Sequence, residues 1–281
     1  MKNIIYFLLF CITFSVSAQT NPKKEIISRM LNANVALRTA KFTMHTEERL
    51  ISGKFEIKDM RIKFQHNPVK VYLFAVKPDF GTQIIWKKGW NDDKMYVSPG
   101  SFPYVNFSLK TNNSLARKDA HHPITNMGFD YLSGLLTYFI KASGDKFYDN
   151  ISITDTVQWD NRSCILVKFD YKDFKEINYT VKSGENISSI ADKLHLNDYS
   201  ILMLNPAVSD YDDVKPNQII RIPNFYCRSI EFYIDRATWL PLKQVISDNK
   251  GIYENYEMKS FLLNPVFKAD EFDTEFAEYK F

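Results

Sequence analysis

The sequence carries almost no surplus charge. Its 36 lysines and arginines face 33 aspartates and glutamates, and removing Lys2 with a leader leaves 35 against 33. That balance argues against an electrostatic nucleic-acid binder. Cysteine is scarce: Cys11, Cys164 and Cys227 are the three present, too few for a disulfide framework. No second apolar run follows the one at residues 4–16, so no transmembrane segment is expected in the mature chain. Catalytic signatures are missing as well. There is no Gly-x-Ser-x-Gly, no His-Glu-x-x-His and no cysteine–histidine pair with a matching partner. His121 and His122 adjoin each other, yet no third ligand stands at metal spacing. Flanked by Asp119 and Pro123, the pair reads as a loop constraint. Glu47-Glu48 and Asp92-Asp93 read as solvated strand and turn residues rather than a paired acid and base. The reading is a non-enzyme without metal or cofactor.

The chain begins with a positive Lys2, an apolar run, and the small-residue site Val16-Ser17-Ala18 before Gln19. These features predict a signal peptide over residues 1–18, cleaved after Ala18. Phe10 stands before Cys11 where lipidation would need a small residue. The mature protein is expected to be exported, and periplasmic or associated with the cell envelope.

Residues 24–37 read as an amphipathic helix. From Lys41 the apolar period changes to two. Strands are expected over 42–47, 54–64, 69–76, 82–87 and 94–97, parted by Asn-Pro, Lys-Pro and Gly-Trp-Asn-Asp turns. Residues 98–123 read as a loop across the open side of the sheet. A helix with a wide apolar face is expected over 125–141, stopped by Gly144. Strand patterns resume at 151–159, 164–171, 229–235, 242–247 and 252–261.

One stretch reads as a complete module. Tyr179-Thr180-Val181 is strand-like, and Asn186 caps a helix with apolar residues at Ile187, Ile190, Ala191 and Leu194. A second short helix carries Ile201, Leu202 and Leu204, with Asn197 or Asp198 as its cap. Asn205-Pro206 ends it, and residues 218–223 form a closing strand. Tyr179, Val181, Gly184, Glu185, Ile187, Ile190, Ala191, Ile201, Asn205, Ile220, Ile222 and Pro223 stand in the order and spacing that resemble the lysin motif, LysM. Asn217 stands where that family has glycine, and asparagine also tolerates left-handed backbone. The resemblance implies a peptidoglycan- or chitin-binding groove formed by Gly184, Glu185, Asn186 and Ile187 with Asn205, Pro206, Ala207 and Val208. Backbone groups there would meet N-acetyl amides, with Ile187 or Val208 against sugar methyls.

The remainder is similar to the LolA-like half-barrels of the lipoprotein-sorting superfamily, and to an uncharacterised family among them. A leading helix, a long run of strands, a covered helix and the turns at Tyr233-Ile234-Asp235…Leu240-Pro241 and Gly251…Glu254-Asn255-Tyr256 carry this likeness. It implies an α+β fold, a curved antiparallel half-barrel with covering helices, carrying an inserted small βααβ LysM domain. Residues 19–175 and 226–281 would form the half-barrel and 176–225 the insert. A lipid or lipoprotein acyl chain would sit between sheet and helix; the alternative is a cell-wall or lipid-acting enzyme or an accessory subunit. If 164–171 pairs antiparallel with 225–235, Cys164 and Cys227 lie roughly 20 Å apart. A disulfide tolerates about 7 Å between Cα atoms, so free thiols are expected. The insert is also expected to be separable from a host that still folds.

Overall fold

The computed structural model describes residues 21–281; the expected signal peptide and Cys11 lie outside them. Helix α1 (Pro22–Ala36) starts where Asn21 accepts a hydrogen bond from the Lys23 amide. Pro22 takes the first helical position, where a missing N–H is no loss. Its buried residues Ile27 and Met30 face the sheet core.

Strands β1 (Thr39–Arg49), β2 (Phe55–Gln65), β3 (Lys70–Lys77), β4 (Gln83–Lys87), β5 (Lys94–Ser98) and β6 (Phe107–Lys110) form an antiparallel meander. The short α2 (Ser114–Arg117) and the longer α3 (Asp130–Ser143) precede β7 (Ile151–Trp159) and β8 (Arg162–Asp170). The inserted unit is β9 (Glu176–Thr180), α4 (Ile187–Leu194), α5 (Asp198–Leu204) and β10 (Ile219–Pro223). Then β11 (Ser229–Asp235), β12 (Pro241–Asp248) and β13 (Gly251–Leu263) return to the large sheet. Its eleven strands lie in the order β6-β5-β4-β3-β2-β1-β13-β12-β11-β8-β7, so the last strand pairs with the first. This is the helix-covered antiparallel half-barrel expected, with its small βααβ insert.

The strands alternate, so one face is apolar where α3 crosses it. Ile62, Phe64, Val71, Leu242 and Met258 belong to one buried cluster there, and Phe147, Phe169, Phe232 and Ile246 to another. Helix α3 begins five residues later than the expected 125. Residues Ile124–Asn126 form a 3-10 turn instead. Gly128 follows with φ +94°, and a Cβ there would lie 2.6 Å from the Phe64 ring. That close approach requires glycine and delays the helix. Gly144 ends α3 as expected, its N–H bonding to the Ile140 carbonyl.

The segment expected as a plain loop, 98–123, contains β6 and α2. Residues 264–281, unread in the sequence, lie across the outer face of β3 and β4. Phe272 is buried there with Tyr72 and Ile85, and Tyr279 stacks on Tyr72 at 3.8 Å.

The insert leaves and rejoins the sheet between neighbours. Asp170 pairs with Ser229, and the Tyr171 amide donates to the Arg228 carbonyl at 2.8 Å. Asn224 straps the two stems, exchanging hydrogen bonds with Lys175 and donating to the Asp173 carbonyl. In the same register Cys164 faces Asp235, away from Cys227, and both thiols are free and buried. The insert has its own core, with Val181, Ile187, Ile190, Ile201, Ile220 and Ile222 all at 2% exposure or less.

Candidate functional site: a hollow half-barrel joined to the inserted module

The sheet and α3 do not close on each other. A cavity of about 700 Å³ lies between them, within the range of small-molecule sites. Tyr131, Leu132, Leu135, Leu136 and Phe139 line it from α3. Met44, Met60, Leu73, Ile84, Met95 and Phe232 line it from the sheet. These positions alternate along their strands, so the pleat itself turns long apolar side chains inward. Methionines in such a wall adapt to irregular apolar shapes. The segment around α2 crosses above, contributing Leu115, Ala116 and Ala120.

The strand register grades this wall. Met60, Met44 and Met258 are cross-strand neighbours and form an apolar row. The next inward-facing row is Lys58, Thr46, Tyr256 and Gln244. The one after it is Glu56, Glu48 and Glu254, continuing to Ile246. Hydrophobic methionines thus give way, within two pleats, to carboxylates at the strand ends nearest the insert.

Glu48 and Glu254 are buried, and Glu254 lies where the insert meets the sheet. Glu254 is 0% exposed. His121 Nδ1 approaches its carboxylate at 2.8 Å, His122 Nε2 at 3.2 Å, and Asn197 Nδ2 donates to it at 3.0 Å. Burial alone would raise the Glu254 carboxyl, but the two histidines overrule it and hold the group down at about 2. Burial likewise opposes charge on His122, yet Glu254 keeps its pKa raised above the usual 6.5. Glu48 accepts from the Tyr256 hydroxyl at 2.7 Å and from the His121 amide at 3.2 Å.

The module's half of this joint comes from the start of α5. Asn197 caps the helix by accepting from the Ser200 amide, and its other amide atom reaches Glu254. Asp198 pairs with Arg117 of the host at 2.8 Å. Arg117, 4% exposed, also donates to the His121 carbonyl and to the Tyr211 hydroxyl, each at 3.1 Å. Tyr199 stacks on His121 at 4.4 Å, and His195 stacks on Tyr138 of α3 at 3.6 Å.

Two sequence readings are corrected here. The His121-His122 pair is more than a loop constraint: it is the centre of a buried polar joint between host and insert. Glu48 is a buried hydrogen-bond acceptor, where a solvated strand residue was expected. The partners lie far away in sequence, which is why spacing alone missed them. The insert, expected to be readily separable, shares this joint with the host.

Of the residues expected at the glycan groove, Asn186 and Ile187 contact the loop after α5, while Asn205 bonds to the β10 backbone at Arg221. The Ile187 amide donates to the Tyr211 carbonyl at 2.8 Å, and Asn186 Nδ2 donates to Asp212 at 2.8 Å, tying the two loops together. Gly184, Pro206 and Ala207 are exposed. Ile187, at 0%, and Val208, at 8%, are core residues, so their side chains do not face a sugar; that expectation is corrected. Glu185 is engaged by Tyr179, Lys182 and Lys193, and Asn205 by the Ile201 and Arg221 backbone. Lys193 first, then the Lys182 amide, hold the Glu185 carboxyl at about 2 despite some burial. Gly184, Pro206 and Ala207 thus give these loops an exposed surface of backbone and small side chains. Among the described residues no group of histidine, cysteine and carboxylate fit to hold a metal ion was found, and no helix is long and apolar enough to cross a membrane.

Comparison with known proteins places these parts. The LysM domain family matches residues 179–223. Several solved structures are similar at low identity. Lipoprotein LppX of Mycobacterium tuberculosis is 12% identical, with 88% of this chain and 99% of that one covered and a TM-score of 0.41. LprF from Mycobacterium bovis is 13% identical, with 89% and 97% covered and a TM-score of 0.40. A LolA superfamily protein from Nitrosomonas europaea is 7% identical, with 87% and 94% covered and a TM-score of 0.33. The architecture above stands on the strand pairing of this chain itself. A further family model matches residues 38–183, just over half of the 281 residues: strands β1 to β8, the covering helix α3 and the start of the module. The chain therefore belongs to the family described as Protein of unknown function (DUF1571) and carries a LysM domain within its sheet.

Proposed function

We propose that the protein is an exported cell-envelope binding protein that holds an acyl chain in its half-barrel while its LysM domain holds N-acetylglucosamine-containing glycan. The observation that carries the reading is the hollow between α3 and the sheet. A helix with five apolar side chains turned inward would normally be packed by its sheet, and here it walls a cavity of about 700 Å³. An apolar cavity of this size is a ready site for hydrocarbon. The glycan half rests on the LysM match and on exposed Gly184, Pro206 and Ala207 at the loop ends. The joint with the host leaves these positions uncovered. With one LysM motif, avidity from repeats is missing and glycan affinity is expected to be weak.

The reading makes the protein a carrier or tether with no covalent chemistry of its own. Its test is to purify the protein from its native envelope and extract bound lipid for mass spectrometry. One acyl lipid per chain is expected. A protein that emerges free of lipid and takes up no apolar dye contradicts the carrier half.

A further inference from the structure

We propose that the end of the half-barrel farthest from the insert docks on an anionic phospholipid bilayer, through a basic pocket and an exposed apolar edge beside it. The inference is independent of what the cavity under α3 holds and of the glycan groove.

A second pocket, of about 470 Å³, lies where the C-terminal tail leaves β13. Arg38, Lys70 and Lys268 line it, and none of its lining residues is acidic. The backbone brings these cations together. The Arg38 amide donates to Asn264 Oδ1 at 2.8 Å, and the Thr39 hydroxyl to the Pro265 carbonyl at 2.7 Å. Gln65 pairs with Thr39 on one side and Lys70 on the other, so β1, β2, β3 and the tail meet here. Neighbouring Lys63 and Lys87 are paired with Glu271 and Asp273, at 2.5 and 2.7 Å, whereas among the described residues the three pocket cations pair with no carboxylate. Asp270, on the same stretch of tail, does not line the pocket. Lys70 and Lys268 lie over the Phe272 and Phe276 rings at 5.7 and 5.3 Å, contacts that hold an ammonium without neutralising it. Three uncompensated cations around one opening suit phosphate oxygens.

Beside these cations the chain exposes apolar groups. Leu262 and Leu263, at the close of β13, are about half exposed, and Val266 is 99% exposed. Apolar side chains in water with basic residues next to them are the pattern of an interfacial membrane contact. Hydrocarbon enters the headgroup boundary there, and the cations meet lipid phosphate. A rigid acidic protein would need a pocket shaped for Val266, while a bilayer yields around it. The position in the fold fits as well. The pocket lies at the Thr39 end of β1, and the insert meets the other end, where the Ile51 amide donates to the Tyr199 hydroxyl at 3.3 Å. Eleven residues of strand, roughly 35 Å, separate the two ends. With one end on a membrane, the insert at the other stays free to meet glycan.

The test is co-sedimentation of the intact protein with sucrose-loaded vesicles, of phosphatidylcholine alone or with one-third phosphatidylglycerol. Binding should require phosphatidylglycerol and weaken as salt is added. Each cation near such a surface strengthens binding roughly fivefold, so Arg38→Gln with Lys268→Gln should weaken it roughly 25-fold. Val266→Ser should weaken it severalfold. All three residues are exposed, so the melting temperature of each variant should match the parent's. Lys54→Gln with Lys250→Gln removes the same charge at the insert end and should leave vesicle binding unchanged. Equal binding to phosphatidylcholine alone, or no sedimentation with either vesicle, overturns the docking. Parent-level binding by the Arg38 and Lys268 variant, or an equal loss in the Lys54 and Lys250 variant, overturns it too. So does release of the bound protein by inorganic phosphate at matched ionic strength, which would make the pocket a site for the free anion.

Discussion

Arg117→Leu tests whether the insert is fastened to the half-barrel by the buried joint. The guanidinium donates twice to Asp198, at 2.8 and 3.3 Å, and once each to His121 and Tyr211. Leucine keeps the apolar stem and removes every one of these bonds. Breaking a buried ion pair from one side costs about 3–5 kcal/mol, because the remaining charge is left unpaired. Asp198 keeps its bond to the Ser188 hydroxyl and is 14% exposed, so the low end, about 3 kcal/mol, is expected. The module has its own core, so the loss should appear as undocking before global unfolding. Urea unfolding followed by tryptophan fluorescence reports the host, because all four tryptophans, Trp86, Trp90, Trp159 and Trp239, lie outside the insert. Proteolysis of the stems near Lys175 and Asn224 reports undocking. Replacing Asp198 with Leu as well removes the orphaned charge, and the double variant should recover to within about 1 kcal/mol of the parent. A single-variant cost below about 1 kcal/mol, or a double variant that simply adds the two losses, would falsify the joint as a fastening.

The joint should also respond to pH. Glu254 is held below its usual 4.5, so its contribution is present above that value and is lost as pH falls toward about 2. His122 is raised above 6.5; its contribution is complete below that value and is lost as pH rises through the raised one. The urea midpoint should therefore peak at about pH 5–6.5, and His122→Gln should flatten the alkaline side; a parent profile flat from pH 6 to 9 contradicts this. Gly128→Ala should destabilise by about 1–3 kcal/mol, because φ is +94° and the new Cβ meets the Phe64 ring; a melting temperature equal to the parent's would refute the close-packing argument. Gly184→Val puts a β-branched residue at φ +80° with open space around its Cβ. Strain of about 1–2 kcal/mol should distort that turn and weaken retention on peptidoglycan sacculi, and unchanged retention counts against the groove.

Local patterning carried most of the fold. The period-two stretches became strands within three residues of their expected ends, and the LysM residues fell on the expected βααβ elements. Neighbouring β8 and β11 also followed from the patterns on either side of the insert. The late start of α3 did not, because it depends on Phe64 of β2 packing against Gly128, 64 residues away in sequence. The joint was illegible for a similar reason: Glu254 lies 133 residues from His121 and 57 from Asn197. Ile187 shows the limit of reading by family position. Its place in the motif pointed to the sugar, while its apolar spacing with Ile190 and Ala191 pointed to the core, and the core won. The C-terminal tail has neither helical nor strand period, so its aromatics gave no sign that they cover the outer face of the sheet.

Co-sedimentation of protein and lipid with peptidoglycan sacculi tests the account most directly. The intact protein is loaded with radiolabelled monopalmitoylglycerol, freed of unbound lipid, mixed with purified sacculi and centrifuged. The account predicts that lipid and protein enter the pellet together, about one lipid per chain, and that soluble chito-oligosaccharide releases both. Protein that stays in the supernatant, or that sediments after losing its lipid, would contradict it.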